Sequence, residues 1–147
     1  MRTGRSYGIA SLFVAAGLGL AGCQTVAGAE TDPANAPASV ETAPNGGPSR
    51  LTVMDEAVQR LGIQTVPVAG ELGALVIPYS AVVYDADGAT WTFVQEDTGV
   101  YRRALIAISS VDAANAVLSG GPPPGTPVVT VGAAELVGVE AGISGGE

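Results

Sequence analysis

The sequence predicts a mainly β fold: a small antiparallel β-domain with one or two short helices, set behind a disordered tether. Three observations carry this. Short β-branched runs recur from residue 63 onward, and clusters of Gly, Pro and Asp punctuate them. The stretch from residue 27 to 49 has no β-branched run, being a mixture of Pro, Ala and small polar residues.

The elements follow in order. Asp55-Glu56-Ala57-Val58-Gln59-Arg60-Leu61-Gly62 reads as a two-turn helix. Its carboxylates favour a helix start, Val58 and Leu61 are three apart, and Gly62 can take the left-handed position past the last turn. Residues 63–68 alternate into a strand, and residues 69–73 (AGELG) read as a turn. Leu75-Val76-Ile77 and Ala81-Val82-Val83-Tyr84 are separated by Pro78, which cannot donate to a ladder and so belongs at an edge or bend. Asp85-Ala86-Asp87-Gly88 makes a hairpin turn into Thr90-Trp91-Thr92-Phe93-Val94, with Gly88 supplying a positive φ. Alternation puts Trp91 and Phe93 on one face, expected to be the core face, and Thr90 and Thr92 on the other. Glu96-Asp97-Thr98-Gly99 turns the chain again into a strand over residues 100–108. Residues 111–118 fit a strand or a short helix, residues 120–125 (GGPPPG) form a rigid loop, and Pro127-Val128-Val129-Thr130-Val131 is a last strong strand.

The N-terminus specifies an address. Arg2 and Arg5 precede an uncharged apolar run over residues 7–20, shorter than the roughly 20 residues a spanning helix needs. Leu20-Ala21-Gly22-Cys23 follows and resembles the bacterial lipobox. That resemblance implies cleavage between Gly22 and Cys23, a diacylglycerol on the Cys23 thiol, and an acyl chain such as palmitate on the new amine. Cys23 is the sole cysteine, so no intramolecular disulfide can form, and acylation removes a thiol otherwise exposed to oxidation. Several acyl chains, at about 0.8 kcal/mol per buried methylene, hold a protein firmly on a membrane. Gln24 resembles the residue that follows the modified cysteine in outer-membrane rather than inner-membrane lipoproteins, with both membranes left open. The expected layout is a signal peptide at 1–22, acylated Cys23 and a Pro/Ala-rich tether at 23–49, the β-domain at 50–142, and a disordered tail at 143–147. As a flexible coil the tether lifts the domain on the order of 25–30 Å off the bilayer.

Charge and residue usage exclude several functions. Four arginines and 14 carboxylates follow the cleavage point, and no lysine occurs anywhere, so the surface is strongly acidic and repels nucleic acid. There is no histidine, which removes the usual transition-metal sites and His-based triads. Asp85, Asp87 and Glu96 occupy positions one, three and twelve of a calcium-loop pattern. The required Gly is misplaced, however, and an apolar strand fills the gap, so they read as an acidic hairpin turn and no metal is expected. Ser80, Ser109, Ser110 and Tyr84 offer hydroxyls without a His or Lys to activate them. Neither catalysis nor a cofactor is expected.

The order of several segments carries a second resemblance. Residues 76–82 (VIPYSAV), Asp87-Gly88 with Trp91-Thr92-Phe93-Val94, Tyr101-Arg102-Arg103, and residues 125–136 (GTPVVTVGAAEL) are similar to the membrane-proximal domain of periplasmic adaptor subunits. These are the HlyD-like membrane fusion proteins of resistance-nodulation-division efflux pumps. Residues 51–53 and 61–66 resemble the start of related adaptors. In that family the domain is built from both chain ends, around a barrel, a lipoyl domain and a long helical hairpin. Here residues 69–74 stand in place of that insertion, and residues 119–125 (SGGPPPG) depart from the family's usual Gly-Leu and acidic pattern. The resemblance implies a lipid-anchored envelope protein facing the periplasm. It would serve as an accessory or truncated adaptor-like component of an efflux complex, with an inner-membrane pump or its adaptor as partner. The alternative is an unrelated envelope lipoprotein whose β-domain binds a ligand or plays a structural role.

Overall fold

The computed structural model describes residues 36–71 and 73–142. The strands are β1 (Ala38–Glu41), β2 (Arg50–Val53), β3 (Gln64–Pro67), β4 (Ala69–Glu71), β5 (Ala74–Pro78), β6 (Val83–Tyr84), β7 (Thr90–Asp97), β8 (Val100–Leu105), β9 (Ala107–Asp112), β10 (Asn115–Gly120) and β11 (Pro127–Val131). Two helices, α1 (Asp55–Leu61) and α2 (Ala133–Glu140), and a 3-10 turn over Tyr79–Ala81 complete the described elements. The strands make two antiparallel sheets. The first runs β1-β2-β8-β7-β11-β3, with the two-residue β6 also paired to β7, and the second runs β4-β5-β10-β9.

β7 explains the layering. Its Val94 packs with Val128, Ile106, Ile77, Ala116 and Leu118, a cluster between the two sheets. Its Phe93 points the other way, into a cluster with Leu51, Tyr101 and Val129 that is closed by Ala57 of α1 and Leu136 of α2. The first sheet is therefore the middle layer, covered by helices on one face and by the second sheet on the other. Burying Phe93 completely contributes about 2–3 kcal/mol by area alone.

The local grammar works where turn chemistry is explicit. Gly62 takes φ 63° past α1, and the carbonyls of Val58 and Gln59 accept hydrogen bonds from the capping residues. Gly88 takes φ 81° in the β6–β7 turn, where its N–H donates to the Asp85 carbonyl. Pro78 ends β5 at the entry to the 3-10 turn, so its missing N–H leaves no gap in the ladder interior.

Five expectations are corrected. The strand expected over residues 100–108 is two strands in different sheets, β8 ending at Leu105 and β9 starting at Ala107. The fold begins upstream of residue 50: β1 lies inside the stretch assigned to the tether, because backbone pairing from Ala38↔Val53 to Glu41↔Arg50 holds it on β2. Residues 69–71 are not a turn but β4, which pairs with β5 from Ala69↔Val76 to Glu71↔Ala74. The 81–84 run is not one strand, since Ala81 closes the 3-10 turn and β6 starts at Val83. Trp91 shares the face of Phe93 but is only half-buried, whereas Thr92 on the opposite face is fully buried against the second sheet. The ambiguous stretch over 111–118 is the β9–β10 hairpin, turning at Ala113 with φ 34°. Residues 1–35 and 143–147, which include the signal, Gly22, Cys23, Gln24 and the tail, lie outside the described residues.

Candidate functional site

Arg102 and Arg103 are adjacent in β8 and therefore point to opposite faces of the middle sheet. Each organises a distinct surface.

On the face shared with the second sheet, Arg102 stands directly across from Arg50 of β2, a like-charge pair that would repel. Glu96 resolves it: Oε1 lies 2.6 Å from Arg102 Nη2 and Oε2 lies 3.6 Å from Arg50 Nε. Both arginine side chains are about half exposed (51% and 49%), so solvent screening leaves each contact worth under about 1 kcal/mol. Beside this trio runs a groove of about 500 Å³. Val94, Ala104, Leu105 and the Gly121-Pro122-Pro123 segment line it together with Glu96 and Arg102.

On the helix face, Arg103 is mostly buried. Its Nε lies 2.5 Å from Glu140 Oε2, its Nη1 lies 3.4 Å from Asp85 Oδ2, and its guanidinium carbon sits 5.7 Å from the Phe93 ring centre. One side chain thus ties the β6–β7 turn, β8 and α2 together over an aromatic ring. Next to it a cross-strand row of Val83, Trp91 and Leu105 runs over β6, β7 and β8. Leu105 is 61% exposed, the highest among the exposed large apolar side chains, and Trp91 Nε1 is buried without a hydrogen-bond partner. Leu105 therefore joins the groove on one face to the aromatic row on the other.

The hydroxyl candidates are dispersed. Ser80 is exposed in the 3-10 turn, Ser109 donates to the Val117 carbonyl, and Ser110 is exposed on β9. Tyr84 shares a 3.0 Å hydrogen bond with Tyr79, which holds the Tyr84 phenol above its ordinary value. Tyr101 is also raised, first by burial and then by the negative charge of Asp55.

Asp85, Asp87 and Glu96 are not brought together. Asp85 caps its own turn through the Ala86 N–H and pairs with Arg103, while Glu96 lies toward the far end of β7 with Arg50 and Arg102. Among the described residues no three metal-ligating side chains cluster, and no helix is long and apolar enough to cross a membrane.

The two-faced arginine site was missed in the sequence. The signal for it was present: half of the arginines beyond residue 23 stand side by side in a β-branched run, which in a strand must serve opposite faces. Its partners Glu96 and Glu140 come from other elements and carried no such mark.

Comparison with protein-family models, with curated proteins and with solved structures finds no match to this chain.

Proposed function

We propose that this chain is a lipid-anchored envelope protein that docks through its β-domain on an efflux transport complex, as an adaptor-like accessory that performs no chemistry. The observation that carries the reading is the composition of the middle sheet. β2 and β3, which precede residues 69–74, flank β8, β7 and β11, which follow them. A domain assembled from both sides of an excised insertion is what the resemblance to adaptor membrane-proximal domains implies. The chain crosses the junction through the short β4–β5 hairpin.

The anchor supports the same reading physically. Tethering through Cys23 raises the effective concentration near a membrane partner, so a modest surface suffices. The exposed Leu105 with Trp91 beside it supplies an apolar centre, and Asp85, paired to Arg103 on the same face, supplies part of a polar rim. With no helical hairpin among the described residues, this domain would occupy a docking position without itself building a conduit, and so would modulate transport.

Photo-crosslinking in intact cells tests this. A photoreactive residue at position 105 is expected to capture a pump or adaptor subunit, while one at Arg60, exposed on α1, captures none. Capture of only unrelated envelope proteins at position 105 would leave the ligand-binding or structural lipoprotein standing instead.

A further inference from the structure

The two sheets end in β1, β3, β4 and β9, and an unpaired strand edge is a template for another chain unless something blunts it. Three of these edges are blunted. β1 is four residues long, follows Pro37 and ends in Glu41. β3 ends on Pro67. β4 has three residues, and Pro124 packs so closely on Gly70 that an added Cβ would lie 3.1 Å from it. β9 differs. It has six residues and no proline, and its one ionisable side chain is the exposed Asp112 at its end. Its outer edge has no strand neighbour among the described residues.

The register within β9 adds a second observation. Ser110 stands opposite Val117 and Ile108 opposite Leu118, so Ser109 is an extra, bulged residue. The bulge puts Ile108 and Val111, three apart in sequence, on one face, because their partners Leu118 and Ala116 are both buried on the inner side. Ile108 packs against the core there, yet Val111 remains 51% exposed.

We propose that β9 is the docking edge for a second copy of this chain, paired antiparallel about a two-fold axis between Ser109 and Ser110. That register sets Ile108 opposite Val111, Ser109 opposite Ser110, and Ala107 opposite Asp112. The segment is self-complementary in this arrangement, as an isologous contact requires. Each copy's Ile108 covers the other's exposed Val111 on the inner face. Charge permits the pairing: the two exposed Asp112 carboxylates stand at opposite ends of the register across from Ala107, and the four central residue pairs carry no charge. The two second sheets then become one continuous sheet. A six-residue edge buries less than the roughly 1,200 Å² of a standard stable interface, so the dimer is dissociable.

Sedimentation equilibrium of the full chain in detergent, with micelles in excess over protein, reads the association. A monomer–dimer equilibrium is expected, with Val111→Lys weakening it at least about tenfold. Val131→Lys adds the same charge at an exposed site on β11 and is expected to dimerise as the parent does. Isotope-filtered NOE spectra of a mixed labelled and unlabelled sample of the parent chain read the register directly, through contacts between Ile108 and Val111 methyls of different copies. Monomer up to about 1 mM, a dimer indifferent to Val111→Lys, or a dimer lacking those contacts would each overturn the proposal.

Discussion

Gly88 and Gly99 hold similar backbone conformations in successive hairpin turns, with φ of 81° and 70°, but their surroundings differ completely. A Cβ built on Gly88 meets nothing within 4 Å, whereas one on Gly99 would lie 2.5 Å from the Val53 carbonyl oxygen. That obstacle is backbone, and it is fixed, because the Val53 N–H donates to the Gly99 carbonyl at 2.8 Å and β2 is paired on both sides. Gly88→Ala should therefore cost only the left-handed penalty, about 1–2 kcal/mol. Gly99→Ala should cost that plus a displacement of β2 against β8, an overpacking cost of about 1–3 kcal/mol, giving about 2–5 kcal/mol in all. Against a total stability of about 5–10 kcal/mol the difference is easily resolved. Urea unfolding followed by the fluorescence of Trp91, the sole tryptophan, measures both variants. Equal losses would refute the claim that β2 is locked against the β7–β8 turn.

Three further outcomes follow from the core. Thr92→Val should stabilise the domain by about 1 kcal/mol in urea titrations, because the Thr92 hydroxyl is fully buried without a partner and a methyl of the same shape removes that cost; a loss would mean the hydroxyl is bonded. Phe93→Ala should cost about 3–5 kcal/mol, and Trp91→Ala distinctly less, since Phe93 is fully enclosed and Trp91 half-buried; the reverse order in thermal melts would place Trp91 at the core. Stability should fall as pH rises above about 10, because the unfolded chain ionises Tyr101 there while the folded chain, with its phenol raised by burial and Asp55, holds the proton longer. Tyr101→Phe should flatten part of that decline, and an unchanged slope would show that the phenol reaches solvent in the folded state.

The sequence is legible where one residue type has one physical meaning. Gly62, Gly88 and the Pro127–Val131 run behave as their chemistry dictates. β1 was illegible because it contributes little burial: Val40 is 39% exposed, and the strand is held through backbone pairing that no side-chain pattern records. α2 was missed because Gly138 and the β-branched Val137 and Val139 argue against a helix, and packing on the Phe93 cluster overrides them. The β9–β10 turn carries no Gly, and Ala113 accepts a positive φ instead. Thr92 misled because alternation presumes one solvated face, while β7 is a middle strand with protein on both. The paired arginines were visible, but Glu96 and Glu140 meet them only through the fold.

The central claim, a tethered β-domain that docks on a transport complex, is tested most directly by purifying the protein from detergent-solubilised envelopes. The mature chain should begin at Cys23 with its mass raised by acylation, and a polytopic inner-membrane transporter or its adaptor should co-purify. A Cys23→Ala protein should leave the membrane fraction and lose that partner. Recovery of an unacylated chain, or of an acylated chain accompanied by no transport protein, would contradict the account.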